Sequence, residues 1–194
     1  MSRCGTHGGD LPLIAWGEEL RRRKVERRRL RRRAALVAGL ICAVTLSVAL
    51  PPTPLLVWNA SASAPVGLYA VTPGSDVRRG DMVIARAPAA MRALAASRRY
   101  LPVNVPLVKH VGAVPGDRVC AIGRAITVDG APVATRREMD RLGRPMPWWS
   151  GCRLLREGEL FLLSPAVPAS FDGRYFGISR SSDVIGTAGP IWDR

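Results

Sequence analysis

Seventeen consecutive residues, "AALVAGLICAVTLSVAL" at 34–50, carry no charged side chain, and this run restricts the fold more than any other part of the chain. It lies at the short end of what crosses a bilayer as a helix, for which about 20 apolar residues are usual. Pro51, Pro52 and Pro54 follow, and proline cannot continue a helix because it lacks the N–H donor and clashes with the preceding turn. Immediately upstream, "RRRKVERRRLRRR" at 21–33 holds ten Lys/Arg and one Glu. Positive charge this dense keeps its flank cytoplasmic. The run therefore reads as a single-pass inner-membrane anchor, 34–50, with the N-terminus in the cytoplasm and everything after residue 51 in the periplasm. A buried soluble helix is one alternative. A removable leader is another, but leader apolar regions run about 7–15 residues, so the length here and the heavy flank favour retention.

The basic block supplies most of the net charge of +14. Basicity thus belongs to a cytoplasmic tail, residues 1–33, rather than to the folded body. Residues 1–20 read as disordered or weakly helical and 21–33 as a basic helix. Such a block attracts nucleic acid electrostatically, but its position against the apolar run makes membrane lipid the expected partner, with no specific nucleic acid.

The body, 55–194, is built from short apolar runs: "PLLVW", "GLYAV", "GDMVIARA", "VPLVKHVGAV", "DRVCAI", "GELFLLSP" and "DVIGTAGPIW". Runs of this length, rich in Val, Ile and Leu and bounded by Gly, Pro or Asp, are strands. "ITVDGAPV" carries the Asp-Gly hairpin signal, and "PAAMRALAASRRY" at 88–100 predicts one short helix. The fold class is mainly β. Of the four cysteines, Cys4 is placed in the cytoplasm and Cys42 in the span. Cys120 and Cys152 fall in the oxidising compartment and are a disulfide candidate, with two separate buried thiols as the alternative. There is no Cys-x-x-Cys, and His7 and His110 are the only histidines, so neither a metal nor a cofactor is expected.

The body's one histidine, His110, leaves little room for a Ser-His-Asp triad. A serine enzyme can use lysine as its base if the amine is neutral, which burial achieves by disfavouring the charged form. In "VPLVKHVGAV" a strand's period of two puts Leu107, Lys109 and Val111 on one face. Lys109 and Lys24 are the only lysines. The alternative is a strand-edge lysine with its amine in water.

Three segments together resemble the type I signal peptidases. "LVKHVGAVPGDRV", 107–119, is similar to the family's lysine box, "SFDGRYFG", 170–177, to its C-terminal box, and "SASAPVGLY", 61–69, to its nucleophile box. They occur in the family's order across nearly the whole body. The Asn-x-Ser-x-Ser-x-Pro-x-Gly-Leu-Tyr form resembles the TraF-type conjugative-transfer subgroup, as does "MPWWSGC"; general leader peptidases have a Met and a Pro-Thr there. Only 62 residues separate Lys109 from Asp172, too few for the large extra β-domain of some members. The resemblance implies a signal-peptidase-like antiparallel β catalytic domain behind an N-terminal transmembrane helix.

It also implies roles. Ser63 is the nucleophile and Lys109 its general base. The Ser63 N–H and the Ser61 hydroxyl form the oxyanion hole, and Ser170 orients the lysine amine. Asp172 pairs with Arg174; whether the aspartate is catalytic or a brace stays open, because a carboxylate near Lys109 favours the charged amine. An ordinary surface pair is the alternative for these two. The implied activity is cleavage of exported precursors after a small-x-small pattern, with a pilin or pilus-assembly precursor as substrate, conjugation or type IV secretion components as partners, and ligation to a cyclic product as a variant. Ser63 lies nine residues past Pro54, close to where a precursor's cleavage site emerges from the membrane. Competing readings are a housekeeping leader peptidase, an inactive membrane-anchored scaffold, a self-cleaving repressor of the LexA type, and a DNA tether.

Overall fold

A computed structural model describes residues 11–50 and 53–193; Cys4, His7, Pro51 and Pro52 lie outside the described residues. The chain divides into two compact units, Met1–Pro52 and Thr53–Arg194.

In the first unit, α1 runs unbroken over Leu11–Ala49. At about 1.5 Å per residue it is some 58 Å long. It includes a stretch long and apolar enough to cross a membrane. Residues 11–20, expected as a disordered or weakly helical tail, are helical: this segment is rich in the good helix formers Leu and Glu and contains one Pro, near its start. Glu19 also accepts from Arg23 one turn on, at 2.8 Å.

The second unit is mainly β. Its strands are β1 (Leu56–Asn59), β2 (Gly67–Pro73), β3 (Met82–Ala85), β4 (Leu107–Ala113), β5 (Arg118–Ile122), β6 (Ala125–Val128), β7 (Ala131–Thr135), β8 (Gly151–Leu154), β9 (Glu159–Leu163), β10 (Ser179–Arg180) and β11 (Val184–Asp193), with the helices α2 (Ala89–Ser97) and α3 (Gly173–Phe176). They form a seven-stranded sheet ordered β1-β2-β11-β3-β4-β9-β10 and a four-stranded sheet ordered β7-β6-β5-β8. Every strand pairing is antiparallel. The expected hairpin turns at Asp129 (φ 50°) and Gly130 (φ 82°), the two left-handed positions that a two-residue turn of this type requires.

β11 closes the larger sheet by inserting between β2 and β3. The insertion depends on Gly186, where a Cβ would lie 2.4 Å from the Thr72 carbonyl oxygen. A core of Ala113, Val119, Ile126, Leu155, Phe161 and Leu163 joins the smaller sheet to the larger. Cys120 and Cys152 face each other across β5 and β8 and are disulfide-bonded, as the sequence suggests. Cys42 is free.

Candidate active site

β4 places the lysine. Leu107, Lys109 and Val111 share a buried face, with Val108 buried on the other, and Lys109 is only 1% exposed. Lys109 Nζ donates to Ser170 Oγ at 2.6 Å and to Ser164 Oγ at 3.2 Å. Burial pushes the amine down from the ordinary 10.5 to about 8; Asp172 pulls the other way, and Arg174 adds to the lowering.

The C-terminal box braces these serines. Asp172 caps the four-residue α3, accepting from the Arg174 N–H at 3.1 Å, and its other oxygen accepts from the Ser164 N–H at 2.9 Å. The Arg174 guanidinium binds both carboxylate oxygens, at 2.9 and 2.7 Å, and then donates to the carbonyls of Ser164 and Val167 at 3.0 and 2.7 Å. Both side chains are buried, so this is no surface pair, and all the carboxylate's hydrogen bonds go to Ser164 and Arg174. Gly173 lets the box sit this close: a Cβ there would meet the Phe161 ring at 2.6 Å and the Leu162 carbonyl at 2.7 Å. The "MPWWSGC" segment holds the far side. Trp149 donates to the Gly173 carbonyl at 3.0 Å, while the buried Arg136 grips the Trp149 carbonyl at 2.6 Å.

Ser61 and Ser63 lie in the turn between β1 and β2. A residue with no role in the sequence reading organises that turn. Asn59, 5% exposed, donates through Nδ2 to the carbonyls of Ser61, Ala64 and Pro65 at 3.0, 3.1 and 2.9 Å, and accepts from the Ser61 N–H at 3.0 Å. The Tyr69 hydroxyl adds a bond to the Pro65 carbonyl at 2.7 Å. Its position in the Asn-x-Ser-x-Ser pattern was the available signal: asparagine side chains characteristically hold backbone turns of this kind. Ser164 was missed altogether, since "LLSPA" matches no motif.

The Ser63 N–H donates to Ser61 Oγ at 3.2 Å, and the Ser61 hydroxyl donates to Ser63 Oγ at 3.0 Å. Both expected oxyanion donors are therefore engaged between these two residues, the Ser63 N–H on Ser61 Oγ and the Ser61 hydroxyl on Ser63 Oγ. Lys109, Ser170, Asp172 and Arg174 form one connected cluster; Ser61 and Ser63 form another, and no direct hydrogen bond joins Ser63 to Lys109.

Residues 28–192 match the family model described as signal peptidase, peptidase S26, and the chain belongs to that family. Among relatives, a conjugal transfer protein TraF of Agrobacterium fabrum is 35% identical over 144 residues, covering 69% of this chain and 80% of its own. A probable conjugal transfer protein TraF of Sinorhizobium fredii is 34% identical over 177 residues, 82% of this chain and 90% of the relative. A crystal structure of a signal peptidase I from Enterococcus faecalis aligns with a TM-score of 0.36 at 17% identity, over 58% of this chain and 97% of that one.

Proposed function

We propose that this chain is a membrane-anchored serine endopeptidase that cleaves exported precursors with a Ser63–Lys109 dyad. The observation that carries the proposal is the lysine: a fully buried amine, held by two serine hydroxyls and pushed down to about 8, is a base with an appreciable neutral fraction near physiological pH. In the reaction Ser63 Oγ attacks the scissile carbonyl carbon as its proton passes to Lys109 Nζ. The oxyanion displaces the Ser61 hydroxyl from the Ser63 N–H, so that both donors turn to it; one such donor is worth roughly 3–4 kcal/mol. Collapse breaks the C–N bond and returns the proton to the leaving amine. Water then attacks the acyl carbon as its proton passes to Lys109 Nζ; collapse breaks the C–Oγ bond, the proton returns from Lys109 to Ser63 Oγ, and the new C-terminal carboxyl leaves. On this reading a Ser63–Lys109 hydrogen bond has to form when substrate binds; catalytic hydrogen bonds are often incomplete without it.

The substrate reading follows the relatives. Two are named for conjugal transfer, which supports a pilin or pilus-assembly precursor with small residues at the first and third positions before the cut, and conjugation components as partners. α1 would hold the peptidase unit at the outer face of the inner membrane, with the basic block inside.

The test is cleavage of a small-x-small precursor by the full chain in detergent, with products read by mass spectrometry. Cleavage at that bond by the wild type, abolished in Ser63→Ala, is the expected result. Cleavage by Ser63→Ala would end the reading, and no cleavage of this or a pilin-like precursor by wild type would leave the inactive scaffold in its place.

A further inference from the structure

A neutral amine has two N–H donors and one lone pair, whereas an ammonium has three donors. Lys109 Nζ has two side-chain acceptors, Ser170 Oγ at 2.6 Å and Ser164 Oγ at 3.2 Å, and the residue is 1% exposed. The number of acceptors matches the neutral amine. We propose that Ser164 is a positioning residue for the Ser63–Lys109 reaction: its hydroxyl takes one N–H of the neutral amine, Ser170 takes the other, and the lone pair is left for the Ser63 proton. The proposal rests on the dyad reading above.

Ser164 suits this role because its backbone is fixed from both sides. Its N–H is bound by Asp172 Oδ2 at 2.9 Å and its carbonyl by Arg174 Nη2 at 3.0 Å. A buried ion pair thereby fixes one lysine acceptor without either of its charges bonding the amine. Ser170 has a looser hold, through its N–H to the Val167 carbonyl at 3.0 Å in a turn. The charged groups acting on Lys109 are Asp172, which favours the ammonium, and Arg174, which disfavours it. Neighbouring His110 bonds instead to the Gly80 carbonyl. On this proposal Asp172 acts on the amine in two ways, by its charge and, as a brace, through Ser164.

The experiment uses the full chain in detergent and follows kcat and KM against pH for wild type, Ser164→Ala, Ser164→Thr and Lys109→Ala. Ser164→Ala should lose roughly ten- to a hundredfold in kcat, the loss of one hydrogen bond to a group that becomes charged, with KM within about twofold of wild type. The acidic limb of kcat/KM should move to lower pH, because an ammonium that loses an acceptor is the form more destabilised. Ser164→Thr keeps the hydroxyl and should recover most of the rate with the limb in place. If the threonine does not fit, the titration of Lys109 itself, read from the side-chain carbon signal in Ser63→Ala and in Ser63→Ala/Ser164→Ala, should show the same downward move. An Ser164→Ala enzyme with wild-type kcat and an unmoved limb, alongside an inactive Lys109→Ala, would overturn the role of Ser164 alone. Full activity in Lys109→Ala would overturn the dyad and this proposal together.

Discussion

Asp172→Asn and Arg174→Met remove the two halves of one ion pair and should move Lys109 in opposite directions. The pair is bidentate, with bonds of 2.9 and 2.7 Å, and its side chains are 0% and 1% exposed. Removing one partner of a buried pair leaves the other charge without its counter-ion, which costs about 3–5 kcal/mol. For a unit of about 140 residues, with roughly 2.1 cal/mol/K of unfolding entropy per residue, that is a fall in melting temperature of about 10–17 °C. The double variant leaves no orphan charge and should cost less than the sum of the singles. The effects on the lysine differ in sign. Without Asp172 the ammonium loses its attraction and keeps the repulsion from Arg174, so the amine falls below about 8; without Arg174 the carboxylate acts alone and the amine rises. Thermal unfolding and the acidic limb of kcat/KM read the two effects separately. Limbs that move together, or single variants costing under about 1 kcal/mol, the level of an exposed pair, would refute the reasoning.

Lys109→Met should alter how stability depends on pH. The folded value of about 8 lies below the ordinary 10.5, so between those values the unfolded chain holds more protons and stability rises with pH, by about 3 kcal/mol in all. Denaturant titrations at pH 7 and 10.5 should show that rise in wild type relative to Lys109→Met, which lacks the group; parallel behaviour would mean an amine that is not depressed. Replacing Cys120 and Cys152 by serine opens a cross-link spanning 32 residues and should cost about 3–4 kcal/mol by loop entropy, seen as a lower urea midpoint. Asn59→Asp turns an oxygen toward three carbonyls that now accept from the amide; it should cost about 1–3 kcal/mol and lower kcat, whereas a normal kcat would show that the Ser61–Ser63 turn holds without it.

Much of this was legible because strand periodicity and turn chemistry are local. The apolar face of Leu107, Lys109 and Val111, the Asp129-Gly130 hairpin and the cysteine pair all appear as read. The helix expected over 88–100 is shorter, Ala89–Ser97, because the chain turns out of it at Arg99 with φ 58°. What the sequence could not supply are contacts between distant segments. The insertion of β11 between β2 and β3 is decided by the close approach of Gly186 to Thr72, and neither residue announces it. Arg136 lies in no motif, yet it is buried on the carbonyls of Gly123 and Trp149. Ser164 reads as a serine before a proline, and its link to Lys109 exists only once β9 lies beside β4. Motifs pointed to Ser63, Lys109 and the Asp172–Arg174 pair, whereas Ser164 and Arg136 lie in no motif.

The most direct test of the central claim, that a neutral Lys109 takes the proton of Ser63, is the titration of Lys109 in the folded full chain. The chain has only two lysines, so selective carbon labelling gives two side-chain signals, and Lys109→Ala assigns them. The account predicts that the Lys109 signal titrates near 8 and that the acidic limb of kcat/KM falls at the same pH. A Lys109 that titrates at the ordinary 10.5, or a limb that stays in place when Lys109 is removed, would contradict it.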